Sequence, residues 1–435
     1  MITLVIFLSL FFGLCLFLRV PAGFAMGIGA AAAFAYNGFS TNQMSQAIYN
    51  QLDNLPFLAI PMFIFAGAVM EHAQISDSLI RWIQFFIGKI RGSLGVVTIF
   101  ASAAFGIITG SAMATISAIG RIMGPSLEKN GYSKPYIGAL LASCGFLGIM
   151  IPPSIPGIMY GSASGQSIAD VWISTIGPGF LFIALYCVVN YLKVGRFEKR
   201  QEAPKLTTSV YVRTALVNTW QTLPALIMPI IIFGGIYSGV FTPTEAGAVS
   251  CVYGLVYVII RFILRKSNTS MKVLMQSAYS ASIATGTVVV LAAFANAAGR
   301  VITLSGVSNA MTQFVTTNID SPFIYLLLVN IIYLFVGTFL ELNCAVLILV
   351  PLLLPPAMAL GIDPIHFGAI TLVNLSVGNL TPPFAQGIFM ASKVIDASFV
   401  DIVSEIWPFL IVAFIVILVV TYFPPLSLFL VNLVQ

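Results

Sequence analysis

Oxygen-bearing and conformationally permissive residues sit inside apolar stretches of this chain, where they can do chemistry only if something polar comes to meet them. Residues 106–120 read Gly-Ile-Ile-Thr-Gly-Ser-Ala-Met-Ala-Thr-Ile-Ser-Ala-Ile-Gly, too dense in small and hydroxylated side chains for a lipid-facing helix. Gly145, Gly148, Pro152 and Pro153 follow in a second apolar stretch. Proline removes a backbone donor and breaks the helical ladder, so carbonyls there are free to face a cation. Later, 337–344 (Gly-Thr-Phe-Leu-Glu-Leu-Asn-Cys) holds Glu341, the one acid between Asp320 and Asp363, and 378–383 reads Gly-Asn-Leu-Thr-Pro-Pro. A hard monovalent cation such as sodium takes oxygen ligands, by extension from the rules for calcium and magnesium. Hydroxyls, Asn oxygens, freed carbonyls and one carboxylate supply them. Irregular backbone at membrane depth is tolerated only where it is buried in protein or lines water, which suits Thr109-Gly-Ser111 as the tip of a re-entrant hairpin. Small-residue helix packing is the alternative. Glu341 equally suits a carboxylate capping a half-helix N-terminus, and the two roles are compatible.

Arg300 is the sharpest single residue. It lies in Ala295-Asn-Ala-Ala-Gly-Arg-Val-Ile-Thr-Leu304, where insertion of Arg at the bilayer centre costs roughly 2.5–3.5 kcal/mol, so such residues face a cavity or a partner. A guanidinium matches a carboxylate bidentately. Snorkelling to an interface or pairing with an internal acid is the competing account. Arg121 raises the same question beside the polar stretch 128–134. Glu245, in Thr-Pro-Thr-Glu, reads as an acid in the first turn of a helix capped by Thr244. The sequence holds no HExxH, Walker or Gly-rich phosphate loop, and Ser111 has no evident base, so an enzyme is not expected. The five cysteines sit in apolar surroundings without paired spacing and read as packing residues.

The elements that must position these groups follow from composition. Charged residues are 8% of the 435 and apolar ones 59%, against about 25% charged in a soluble domain. Clear runs approaching or reaching spanning length cover 1–18, 55–70, 94–108, 171–192, 223–240, 246–263, 283–298, 323–339 and 409–423. With broken ones included, about eleven spans are expected in an all-α polytopic membrane protein. The start carries no basic region and no evident cleavage site before Arg19, so the first run reads as a retained helix. Residues 125–182 recur weakly at an offset of 230. Pro125, Gly131, Gly138, Gly148, Pro152, Pro153, Gly157 and Pro178 meet Pro355, Gly361, Gly368, Gly378, Pro382, Pro383, Gly387 and Pro408. Paired interrupted segments in two halves of a chain point to a transporter's binding site.

Basic residues favour cytoplasmic loops. They cluster at Lys193, Arg196, Lys199, Arg200, Lys205 and Arg213, at Arg261, Arg265, Lys266 and Lys272, and at Arg81, Lys89 and Arg91. The net charge of +5 therefore lies in loops beside spans and is no signal for nucleic acid. The first repeat ends at the basic stretch, whereas nothing after Lys393 is positive. The repeats therefore read as inverted. The expected organisation is a first half (1–192, hairpin about 100–123, broken helix about 138–160), a cytoplasmic linker (193–213) and a second half (214–435, hairpin about 323–355, broken helix about 366–390).

At these residues the chain resembles the large membrane subunit of a tripartite ATP-independent periplasmic (TRAP) transporter, over essentially its whole length. Asn54-Leu-Pro-Phe-Leu-Ala-Ile-Pro-Met-Phe-Ile-Phe-Ala-Gly67, Gly110-Ser-Ala, Gly234-Gly-Ile-Tyr-Ser-Gly-Val-Phe-Thr-Pro-Thr-Glu-Ala246, Phe335-Val-Gly-Thr-Phe-Leu-Glu341 and Thr381-Pro-Pro383 are similar to family segments. The run Thr-Pro-Thr-Glu is the most specific. The resemblance implies a sodium-coupled elevator carrying a small organic anion, such as sialic acid or a C4-dicarboxylate, across the bacterial inner membrane, with no organic cofactor. It implies two partners, a small four-helix membrane subunit as a separate chain and a periplasmic substrate-binding protein. By motif, Ser111, Gly145 and Gly148 would belong to a first sodium site. Gly337, Thr338, Glu341, Gly378 and Thr381 would form a second, and Arg300 would lie near substrate. Glu341 stands where Asp is commoner in the family, and Thr115 where some relatives carry an acid. A stand-alone sodium/carboxylate symporter and a gated ion channel are the alternatives.

Overall fold

In a computed structural model, residues 2–73, 75–87, 92–194, 208–263, 271–319 and 321–434 are described. Most of the linker 193–213 therefore lies outside the described residues, as do Lys89, Arg91, Arg265, Lys266 and Asp320. The regular elements among the described residues are all helices, with no strand among them. Among the described residues, eight helices are long and apolar enough to cross a bilayer, and the bent pair Lys134–Met150 plus Ile155–Ser164 makes a ninth. The rest of the expected spans fall in shorter apolar helices, including Ile2–Cys15, Ala22–Tyr36, Ser93–Thr109 and Pro364–Gly378. Length sets these shorter helices apart: a full crossing needs about twenty residues, and they have 10–17.

Two hairpins and two broken helices form the centre. The first hairpin joins Ser93–Thr109 to Ala112–Lys129 through Gly110 and Ser111. Gly110 ends the first arm at φ +59, a left-handed conformation that glycine adopts without penalty. The second hairpin joins Pro322–Phe339 to Leu342–Ala359 through Leu340 and Glu341. Each hairpin is followed by a helix that Pro-Pro interrupts. In the first, Ser154 restarts the helix by accepting from the Gly157 N–H at 3.2 Å, and the two pieces are bent by 47°. In the second, Pro364–Gly378 stops before 379–385 and resumes as Gln386–Ile395. Both Pro-Pro peptides are cis.

The halves interlock by exchange. The second arm of hairpin one packs on Gln386–Ile395 of the second broken helix, and the second arm of hairpin two packs on Ile155–Ser164 of the first. Reciprocal contacts of this kind are what a two-fold relation between repeats produces. Around this centre, Leu55–His72 packs on Pro243–Ile263 and on the 34-residue helix Met271–Leu304. That long helix also holds Ala22–Tyr36 and the short polar helix Thr41–Leu52.

Candidate functional site

The tip of hairpin one meets the break of its own repeat. Gly106 and Gly148 touch backbone to backbone, and a Cβ on Gly106 would lie 1.8 Å from the Gly148 Cα. Gly145 fits under Ile116, whose Cγ1 would be 2.3 Å from an added Cβ. Ser111 is the N-cap of the second arm and accepts from the Ala114 N–H at 3.4 Å. Thr115, one turn on, donates to the Ser111 carbonyl at 2.8 Å, with its hydroxyl 3.5 Å from that of Thr109. The Pro153 carbonyl would be 2.9 Å from a Cβ on Gly110. The three residues expected at a first sodium site thus lie around one junction of tip and break. The hydroxyls of Thr109 and Thr115, which the sequence noted only as part of the tip and as an uncharged position, lie there too.

The second repeat rebuilds this junction with different side chains. A Cβ on Gly378 would lie 2.7 Å from the Gly337 Cα, so the tip arm and broken helix again meet through glycines. Glu341 occupies the capping position held by Ser111 and accepts from the Cys344 N–H at 3.2 Å and from Asn343 Nδ2 at 2.7 Å. Thr338 and Thr381 donate to the carbonyls of Phe335 and Val377, each at 2.8 Å, which leaves their oxygen lone pairs as acceptors. Asn379, oriented as its surroundings require, donates to Gly337 O at 3.1 Å and Leu340 O at 3.2 Å. That amide ties break to tip, a function the sequence did not reveal. All five residues expected at a second sodium site are gathered here.

Arg300 is elsewhere. It lines a cavity of about 440 Å³ between Met271–Leu304, the polar helix Thr41–Leu52, and one element from each repeat, represented by Ser162 and Pro351. Its guanidinium has no hydrogen bond or ion pair among the described residues. The other polar lining is uncharged: Gln43, Gln46, Asn50, Gln51, Asn296 and Thr303. Sequence reasoning missed this set, although Gln43, Gln46, Asn50 and Gln51 fall at helical spacing on one face. A second cavity of about 660 Å³ meets the first at Ser162 and extends to the turn at Thr242–Glu245, with no cationic side chain in its lining.

Two other expectations resolve differently. Arg121 pairs with Glu71 at 3.4 Å and lines neither cavity. Glu245 does close a helix start, but its cap is Thr242 rather than Thr244. Glu245 Oε2 accepts from the Thr242 N–H at 2.8 Å and the Glu245 N–H donates back to Thr242 Oγ1 at 3.3 Å, a reciprocal capping box. Pro243 takes the first helical position, where its missing N–H costs nothing, and this moves the cap one residue before it. Thr244 Oγ1 instead donates to the Leu55 carbonyl at 3.1 Å.

Paired hairpins, paired broken helices and a polar cavity between the repeats and the long helix define a polytopic membrane permease. Residues 8–426 match the family described as tripartite ATP-independent periplasmic transporter, DctM component, and the chain belongs to that family. It is 32% identical to the C4-dicarboxylate TRAP transporter large permease protein of Pseudomonas aeruginosa, over 93% of this chain and 92% of that one. Identity is also 32% to the sialic acid TRAP transporter large permease protein of Vibrio cholerae, over 95% of each. The isethionate TRAP transporter permease protein DctMQ of Oleidesulfovibrio alaskensis is 32% identical over 96% of this chain, which spans 65% of that longer protein. The crystal structure of the YdaH transporter of Alcanivorax borkumensis shares the fold with a TM-score of 0.61, at 14% identity and 88% coverage of both chains.

Proposed function

We infer that this permease couples sodium entry to uptake of a small organic anion, by sliding its two interlocked repeats against the surrounding helices as an elevator. The anion binds in the Arg300 cavity, with its acid group on the guanidinium. The observation that carries this reading is Arg300 itself, a cation without an ion-pair partner among the described residues, in a cavity bounded on one side by the long helix and on the other by both repeats. Movement of the repeats relative to the helix would change that cavity's exposure. Sodium sits at the two tip–break junctions, where hydroxyls and carbonyls converge without a fixed cation. A small helical membrane subunit covers the outer helices, and a soluble periplasmic binding protein delivers the substrate, as the family's tripartite description suggests. The setting is the bacterial inner membrane.

Reconstitution tests the coupling. Uptake of a radiolabelled organic anion into proteoliposomes is expected to require an inward sodium gradient and to move more than one sodium per cycle. Uptake that is unchanged when potassium replaces sodium sinks the sodium reading. Ser111→Ala and Thr381→Ala are expected to raise the sodium concentration that gives half-maximal rate.

A further inference from the structure

We propose that one internal water sits where the two repeats cross and holds Asn379 in the orientation that closes the second junction. A cavity of about 20 Å³ lies between the second arm of hairpin one, the tip of hairpin two and both broken helices. Three pairs of residues related by the offset of 230 line it together: Ala112 with Leu342, Phe146 with Ser376, and Ile149 with Asn379. Equivalent residues meet in one place only on the axis that relates the repeats, so the cavity lies on that axis. The pairs are unlike. Repeat one contributes Phe146 and Ile149, whereas repeat two contributes Ser376 and Asn379 at the same positions. The polar half of the cavity therefore belongs to the repeat that holds Glu341.

Ser376 is the critical residue. It is 1% exposed, and its Oγ has no hydrogen-bond partner among the described residues. Around it, Thr371, Asn374 and Thr381 each donate to the carbonyl one turn earlier, at 2.8 to 2.9 Å. Ser376 makes no such bond, although a helical serine has that route open. A buried hydroxyl left unmet costs more than a hydrogen bond returns, so it needs a partner inside the cavity. Asn379 supplies the second group. Its amide nitrogen is committed to Gly337 O and Leu340 O, which leaves its oxygen as an acceptor. Gly387 supplies the room: a Cβ there would lie 3.7 Å from Ala142 O and 3.9 Å from Asn379 O, so both backbone oxygens border the space. A water needs about 10–15 Å³ and two to four polar partners, and this cavity offers both. Sodium fits it less well. Among the described residues no charged side chain lines the cavity, and most of its wall is apolar. An ion buried there without a counter-charge would be costly.

The water bridges Ser376 to Asn379, which makes Ser376 a positioning residue for the second junction; that half of the inference rests on the sodium reading. Maps of the full-length protein in nanodiscs, fine enough to show ordered water, test the occupant in sodium chloride and in potassium chloride. One peak about 2.7–3.2 Å from Ser376 Oγ and from the Asn379 amide oxygen is expected in both salts. A peak present only in sodium, or at the roughly 2.3–2.6 Å typical of a hard cation, overturns the inference, as does an empty cavity. Melting midpoints give an independent sign. With water bound, Ser376→Ala removes one of its bonds and lowers the midpoint. In a dry cavity the same exchange removes an unmet hydroxyl and raises it. Gly387→Ala adds a methyl that makes only ordinary contacts with protein but takes the water's space. Each variant should lose the peak and raise the sodium concentration for half-maximal thermal stabilisation about two- to tenfold, the worth of one neutral hydrogen bond. An unchanged sodium requirement in a variant that has lost the peak overturns the positioning role. A parent protein with no sodium response rejects the sodium reading instead, and the maps alone then decide the water.

Discussion

Arg300 and the paired glycines are the residues whose chemistry constrains the molecule most tightly. A Lys at 300 keeps the charge but replaces a planar five-donor fork with a single rotating ammonium. Losing one charge-assisted hydrogen bond costs roughly 1.5–3 kcal/mol, or about ten- to a hundred-fold in apparent affinity. Arg300→Lys is therefore expected to raise the half-saturating anion concentration by that factor and leave the sodium dependence of binding nearly unchanged. A titration of each ligand separately checks both halves. The glycines give a graded prediction. A methyl at Gly106 would lie 1.8 Å from the Gly148 Cα, whereas one at Gly337 would lie 3.0 Å from the Gly378 Cα. Overpacking typically costs 1–3 kcal/mol, and backbone cannot rotate away as a side chain can. Gly106→Ala should lower the melting midpoint clearly more than Gly337→Ala, and equal midpoints would contradict the tighter contact at the first junction.

Some of this was legible residue by residue. Arg300 stood out because its cost in an apolar stretch needs a compensating cavity. Glu341 could be assigned to a cap because an acid preceding a half-helix complements the dipole. The amides facing Arg300 were not legible, because Gln43, Gln46 and Asn50 lie about 250 positions from it and read alone as one polar helix face. The partner of Arg121 was equally hidden: Glu71 is fifty residues upstream, whereas the nearby polar stretch 128–134 suggested a local explanation. Placing the Glu245 cap required the structure, which showed that Pro243 starts the helix.

At the scale of elements, the sequence revealed breaks better than contacts. Gly and Pro act through the local backbone, so the interruptions at 148–153 and 378–383 could be read directly. The exchange of arms between repeats, with Ala112–Lys129 on Gln386–Ile395 and Ile155–Ser164 on Leu342–Ala359, depends on long-range packing that no local pattern encodes. One contact joins the central repeats to the outer frame in a testable way. Arg121 rides on hairpin one, whereas Glu71 belongs to Leu55–His72, which packs mainly on Pro243–Ile263 and Met271–Leu304. Sliding of the repeats would break this pair. Exposed pairs contribute about 0.2–1 kcal/mol, and the Arg121 side chain is 64% exposed. Glu71→Gln should therefore scarcely move the melting midpoint but shift the ratio of conformations by up to about fivefold. Distances between spin labels on hairpin one and on Met271–Leu304 would report the shift, and the double exchange Glu71→Arg with Arg121→Glu should restore it. Identical distance distributions in Glu71→Gln and the parent would remove the pair from the transport cycle.

At the scale of the whole molecule, the outward surface of the frame bears on how many proteins the transport cycle needs. Trp220 is 76% exposed and Tyr279 71%, on the helices Thr208–Tyr237 and Met271–Leu304. Lipid can cover such a face, and so can a small helical subunit, because in a bilayer both are apolar. The two coverings differ mechanically. Sliding repeats need a frame that stays still, and a second set of helices anchors the frame more firmly than fluid lipid. The connections 241–244 and 318–322 hold no basic residue, and we propose them as the receiving surface for the binding protein. A docking protein would therefore present basic or neutral groups there, and charge complementarity would speed the encounter. Lysines placed at Asn318 and Ser321 should slow delivery by the binding protein without altering the response of the isolated permease to free anion. Full-rate uptake is expected only when small subunit, binding protein and permease are reconstituted together. If the permease alone transports free anion at the full rate, it works as a stand-alone symporter.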